Sequence, residues 1–322
     1  MGVVEIPEFR KLINFGKTSY VISLPKNWIE RNKLKKGDTV VIEEFPDRLI
    51  ITLATKEEKK ESMPRYINID NKPLETIRRE IFSAYLNNYS PIILRGNHLK
   101  RNSSALKKML SSLLALEVIN HDAKKIVAKD YLDLENVIIV DFIKKIDMLI
   151  KNKFKDMIDL LKKDAISKLD QYDFAKRDEE VNRLYFTVKK ILIKAADDTN
   201  FQRRLALTPR KMLALIQTIE LLETIGDLLK DLIKRISTES KASKAKFRTI
   251  LEMLYSYYNN IMKLSYIGSI EKILEIMPTR EKILKALKKI SSSGETMYLF
   301  EALLRAVHHL ARTSFDYGQF YK

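Results

Sequence analysis

The chain has 322 residues, enough for two or three domains of roughly 100–200 residues each with real cores, and it contains no cysteine. Disulfide frameworks, thiolate zinc sites and cysteine nucleophiles are therefore excluded. With 45% hydrophobic and 31% charged residues and only eight Gly and eight Pro, the disordered, collagen-like and Gly-turn-rich all-β classes fall away as well. The net charge of +17 is compatible with nucleic acid, acidic membrane surfaces or acidic proteins. No apolar run approaches the ~20 residues of a membrane span, and the first ten residues lack the apolar stretch of a secretion signal. The expectation is a soluble, cytoplasmic protein.

In chain order, the first region is strand-rich. Tyr20-Val21-Ile22-Ser23-Leu24 reads as a strand, and Pro25 opens a short helix over 26–31. Lys36-Gly37-Asp38 is a turn signal, and the strands 39–43 and 48–53 follow around Pro46-Asp47. Charge is polarised here: Phe9 to Lys36 holds eight basic residues and one acid, Glu30, whereas Gly37 to Ser62 holds four basic residues and seven acids. A general lysine bias would not place the two signs apart within one short segment. Residues Lys56 to Ser62 carry no large apolar side chain and read as a linker.

From about Pro64 the pattern mixes. Strand-like Tyr66–Ile69 and Pro91–Leu94 alternate with helical spacing over 74–86 and 104–116, and 118–119, 125–127 and 137–140 supply further strand candidates. Beyond Lys144 apolar residues recur at three and four, most clearly in the stripe from Met212 to Ile236. Six helices are predicted, at about 145–169, 171–197, 209–237, 241–275, 279–292 and 294–317. The Ser/Lys-rich stretch 237–246 divides them into two sets of three, and two tandem bundles follow because each helix has one apolar face to bury.

The run from Leu12 to Trp28, with Gly16, Ser19 and the core Leu24-Pro25-Lys26, and the following Leu34-x-x-Gly37-Asp38-x-Val40 turn resemble the AbrB/SpoVT swapped-hairpin DNA-binding family. The resemblance covers about 45 residues and implies an obligate homodimer in which two chains interleave hairpins into one barrel. Arg10, Lys11, Lys17 and Lys26 lie on the strand and loop segments that would face DNA, where cations neutralise phosphates and release counterions. Lys33, Lys35 and Lys36 are weaker candidates, and Trp28 reads as a packing residue. Gly16-Lys17-Thr18 is not a phosphate loop, because the earlier Gly of that motif would fall on Lys11.

Leu221-Leu222-Glu223-Thr224-Ile225-Gly226-Asp227-Leu228 and Arg177-Asp178-Glu179-Glu180-Val181-Asn182-Arg183-Leu184 resemble the third-helix and second-helix motifs of the PhoU family. An AbrB-like head, an intervening module and a PhoU-like tail is an arrangement similar to archaeal phosphate-uptake regulators. The PhoU resemblance implies a metal held by carboxylates. Glu223 and Asp227 stand one turn apart, and Asp178 comes from the other motif; Mg²⁺, Mn²⁺ or iron would suit such oxygen ligands. Like charges at that spacing cost about 0.2–0.5 kcal/mol in an isolated helix, and the row Glu220, Glu223, Asp227, Asp231 meets no cation four residues on until Arg235. The competing reading is pairing with lysines of a neighbouring helix. The second half departs from the family, with Leu304 and His308 in place of the acids, and the first half departs too, with Asn182 in place of an Asp; His308-His309 reads as an ordinary helix pair rather than a ligand set.

The predicted fold is thus multi-domain and mostly α. A swapped-hairpin β-barrel domain spans 1–54, a small α/β module of no assigned role 63–140, and tandem three-helix bundles 144–322, divided at about 145–238 and 241–320. The function expected is a regulator of phosphate uptake that binds DNA through the head and senses or docks through the tail. The alternative is an adaptor that only dimerises through the head and inhibits a phosphate ABC transporter at the cytoplasmic face of the membrane. With no triad, phosphate loop or cysteine, no enzyme is expected.

Overall fold

The structure, a computed structural model, describes residues 8–45, 48–53, 63–97, 99–134, 136–163, 166–290 and 294–318. It divides into two units, Met1–Glu61 and Ser62–Lys322.

In the first unit, β1 (Ile13–Phe15) pairs antiparallel with β2 (Ser19–Val21), with Ile13 opposite Val21 and Phe15 opposite Ser19. Gly16 turns the hairpin at φ +77°, a conformation that other side chains resist. β2 ends short of the predicted Leu24, because the chain runs into Pro25, which cannot donate to a ladder. Pro25 then opens α1 (Lys26–Arg31). The Asp38 carboxylate accepts the Lys35 N–H at 2.7 Å to form the next turn. β3 (Val40–Phe45) and β4 (Arg48–Leu53) make a second hairpin, with Val40 opposite Leu53. The predicted turn at Pro46-Asp47 and the linker at 56–62 lie outside the described residues. The two hairpins form separate two-stranded sheets and close no barrel, and among the residues from 8 to 53 whose burial is described none is buried. Phe15 is 71% exposed, and Ile13, Tyr20, Ile42 and Leu49 are exposed with it.

The second unit opens with a four-stranded sheet in the order β5-β6-β8-β7. β5 (Arg65–Asn68) and β6 (Ile92–Arg95) are parallel and joined through α2 (Leu74–Leu86); β7 (Leu116–His121) and β8 (Lys125–Asp130) complete it antiparallel after α3 (Leu99–Ser111). Ile77, Ile81 and Tyr85 recur at helical spacing on α2 and bury with Leu94, Leu106, Leu110 and Ile126 in one core. The run Val137–Val140 adds no strand to this sheet. Its β-branched residues suggest one locally, but Ile139, Ile143, Ile146 and Ile150 continue the helical period, so α4 (Ile139–Leu160) begins there.

α5 (Lys168–Asp197) is started by a reciprocal cap between Ser167 and Asp170. The Asp198 carboxylate accepts two backbone N–H groups to start α6 (Thr199–Arg204), which the apolar pattern did not reveal. α7 (Pro209–Ile236) is capped by Thr208 with Pro209 in its first turn, and α8 (Lys241–Ile267) by Ser240. The helix predicted to reach 275 stops at Gly268, left-handed at φ +77°, and α9 (Ile270–Ile276), α10 (Thr279–Leu287) and α11 (Gly294–Tyr317) follow. One continuous core runs from Val137 to Ala311 through all the long helices. α7 packs on α4, α5 and α11, while α4 also packs on α8.

α5 also carries the sheet module. Phe186 meets Phe82 edge to face at 4.7 Å, and the Tyr85 hydroxyl donates to the Leu114 carbonyl at 3.1 Å beside Thr187. The buried Lys190 ammonium pairs with Asp130 and stands 4.1 Å over the Tyr85 ring. No described helix is long and apolar enough to cross a membrane.

Candidate DNA interface and acid–lysine cluster

The short β1–β2 hairpin spreads the basic residues of the head rather than converging them. Arg10 and Lys11 precede β1 at the open end, Lys17 sits in the tip beside Gly16, and Lys26 is the first residue of α1. At ~3.4 Å per strand residue, Lys11 and Lys17 stand roughly 14 Å apart along the hairpin. All four are exposed; Arg10 pairs with Glu8 and Lys26 lies 3.6 Å from Glu30. Such exposed pairs contribute little and exchange readily for phosphate. Trp28 is half-buried against its own chain alone, in a helix with no buried residue.

The acids of the helical region converge on lysines. Asp178 comes from α5 and is buried; its Oδ1 accepts the Lys153 ammonium at 2.6 Å and its Oδ2 the Lys230 ammonium at 2.7 Å. Lys153 reaches in from α4, 1% exposed, and also donates to the Gly226 carbonyl at 2.7 Å. A Cβ at Gly226 would touch the Asp178 carboxylate at 3.4 Å and the Lys153 ammonium at 3.8 Å, at ordinary contact distances. Lys230 bridges to Asp227 on its own helix, and the Asn182 amide lies 3.5 Å from Asp178. The rest of the acidic row is also paired: Glu220 with Lys189 at 2.7 Å and with the Tyr185 hydroxyl, Asp231 with Lys234 at 3.0 Å. Glu223 is the member of the row without a lysine partner among the described residues.

Burial shapes the protonation of this cluster. Burial alone would push the Asp178 carboxyl up, but Lys153 and Lys230 outweigh it and hold it below the usual carboxylate range. Burial pushes the Lys153 ammonium down more than Asp178 raises it. The Glu223 carboxyl is pushed up to about 7, by burial first and then by Asp227, Asp178 and Glu220.

As arranged, these residues do not fit a resident hard cation. An ammonium already stands between Asp178 and the Gly226 carbonyl, a second occupies the other Asp178 oxygen and Asp227, and both would repel an incoming metal. Among the described residues no group of three or more His, Cys, Asp or Glu side chains could hold a metal ion. The sequence pattern brought Glu223, Asp227 and Asp178 into one neighbourhood but missed Lys153. The signal was present, because position 153 falls in the buried row Ile143, Ile146, Ile150, Met157 of α4.

Two family models match the chain. Residues 15–62 match the antidote–toxin recognition MazE bacterial antitoxin family, and residues 143–236 match the PhoU domain. The chain is therefore similar to the MazE antitoxin family over its head and to the PhoU domain over the first part of its helical region. Comparison with curated proteins and with solved structures gives no match.

Proposed function

We propose that the protein is a cytoplasmic regulator of phosphate uptake that binds DNA as a homodimer through its head and receives its signal through the PhoU-like helices. The observation that carries this reading is the state of the head. Its hairpins expose Ile13, Phe15, Tyr20, Ile42 and Leu49 with no buried residue among those described beneath them, which a lone two-stranded sheet does not tolerate well in water. A second copy is the occupant that the AbrB-like pattern supplies, and two copies would set Arg10, Lys11, Lys17 and Lys26 in symmetric pairs. Symmetry of that kind suits a two-fold DNA site.

The second reading, favoured by the protein-recognition description of the matched head family, makes the head a dimerisation module and the PhoU domain an adaptor on a phosphate ABC transporter. Duplex binding to the upstream region of the chain's own gene, measured across salt concentrations, separates the two. A specific complex whose log affinity falls linearly with log salt supports the first reading. Weak, sequence-independent binding favours the adaptor.

A further inference from the structure

We propose that α10 and α11 form a binding site for a small phosphate-bearing anion, built from Arg280, Arg305, His308, His309 and Arg312. These five side chains line one open pocket of about 380 Å³. Four of them come from α11 at positions i, i+3, i+4 and i+7, which fall on one helix face over two turns. Arg280 faces them from α10. The site lies in the half of the helical region that the PhoU match does not reach. It goes beyond the DNA-binding reading and does not depend on it.

The electrostatics single this cluster out. The acids along α7 are nearly all paired with lysines, yet Arg280, Arg305 and Arg312 form no ion pair with any described carboxylate. Three guanidinium groups stay charged at any working pH, and they share the pocket with two imidazoles. Like charges so placed repel; Glu301 and Asp316 stand one turn from Arg305 and Arg312 on α11 but make no ion pair with them. An anion would offset the repulsion. The planar guanidinium fork matches phosphate oxygens two at a time, and several forks converging on one volume suit a multiply charged phosphoryl group better than a carboxylate.

The pocket is also partly pre-organised. The Tyr257 hydroxyl lies 2.9 Å from His308 Nδ1, and the two rings stack at 28°. Tyr257 is itself buried, so it fixes the imidazole against α8. Burial, followed by Arg280, Arg312 and His309, pushes the His308 imidazole down, which favours its neutral form with one N–H to donate. Arg305 lies 5.8 Å from the Tyr298 ring. A pocket volume of about 380 Å³ exceeds a single orthophosphate and falls in the range of small-ligand sites, so a diphosphate or a nucleotide phosphate chain would use more of it.

Isothermal titration calorimetry on the full chain tests this, with orthophosphate, pyrophosphate and ATP as separate probes in chloride buffer at fixed ionic strength. Anionic phospholipid vesicles form a fourth arm. The expected result is saturable binding of at least one soluble probe, weakened tenfold or more in the Arg280→Ala/Arg312→Ala variant. A preference for pyrophosphate or ATP over orthophosphate identifies the source as a phosphorylated molecule rather than free phosphate. Should the double variant fail to fold, Arg312→Lys keeps the charge and removes the fork; severalfold weaker binding is then expected. No saturable binding of any soluble probe, binding of vesicles alone, or binding unchanged in the arginine variants would overturn the proposal. The last result would assign the phosphate to the lysines of the head instead.

Discussion

Replacing Lys153 with Met should be among the most damaging single changes in the helical region. The Lys153 side chain is 1% exposed and that of Asp178 4%, with 2.6 Å between the charges. At an effective dielectric constant of about 20, such a pair attracts by roughly 6 kcal/mol. Desolvation costs several kcal/mol per ion, so the intact pair lies near break-even. The penalty emerges when one partner goes. Met retains most of the volume, so packing is little changed, but Asp178 loses one ammonium and the Gly226 carbonyl loses its side-chain donor. Lys230 still holds the other carboxylate oxygen. The expected loss is therefore near the lower end of the range for a broken buried pair, about 3 kcal/mol. For a unit of this size that corresponds to a melting temperature lower by roughly 6–12 °C.

Thermal and urea unfolding followed by circular dichroism measure this directly. Lys153→Met/Asp178→Leu should regain part of the loss, because no uncompensated charge remains on Asp178. The wild-type melting temperature should not respond to EDTA or to added Mn²⁺, since two ammonium groups already serve the acids. A Lys153→Met loss below about 1 kcal/mol, together with Mn²⁺ stabilisation of the wild type that vanishes in Glu223→Gln/Asp227→Asn, would refute the reasoning and restore the carboxylates as metal ligands.

The remaining predictions concern pH, DNA and assembly. The Glu223 carboxyl titrates near 7 in the folded chain, above its ordinary value, so the native state holds a proton that the unfolded state has released. Its contribution to stability is complete below the unfolded value and is lost as pH rises through about 7; melting temperature should thus fall between pH 5.5 and pH 8 more in the wild type than in Glu223→Gln, and parallel profiles count against the assignment. Asp178 behaves in the opposite sense: its folded value is depressed, so its contribution is present above the ordinary carboxylate range and is lost as pH falls through the folded value. Changing Arg10, Lys11 and Lys17 to Ala should weaken duplex binding and flatten the salt slope by about 0.9 per lost phosphate contact; an unchanged slope moves the head to the adaptor reading. Light scattering at micromolar concentration should give a dimer, and Ile42→Asp, placing a charge on a face exposed in the single chain, should yield monomers; a wild-type monomer would remove the shared-barrel reading.

Periodicity made the long helices legible. α7 and α11 were placed nearly to the residue, because their apolar rows run unbroken from first turn to last. Boundaries failed where a single residue overrides the period. Gly268 ends α8 inside a stretch whose apolar pattern continues to Ile276, and Asp198 starts a short helix whose six residues are too few to display a period. Val137–Val140 misled in the other direction, since four β-branched residues carry no helical information until Ile143 and Ile146 are read with them. The acidic members of the cluster could be read because they lie within two short motifs. Their counter-charges could not, because Lys153 is 25 residues from Asp178 in sequence and the two meet only through the packing of α4 on α5.

α5 ties these elements together physically. Asp178 faces the lysine cluster, while Phe186, Thr187 and Lys190, two to three turns further on, hold the sheet module. Twelve residues of helix separate Asp178 from Lys190, about 18 Å along a rigid rod. Both ends are fixed by buried charge: Lys153 on Asp178 at one, Asp130 on Lys190 at the other. A buried ion pair adds little net stability but strongly penalises misalignment, because a shifted helix strands a charge without its partner. The module at 63–130 is therefore held in register with the PhoU-like helices rather than hung on them by a loop. Any ligand or partner that moves α5 relative to α4 or α7 must break the Asp178 contacts and carry the module with it.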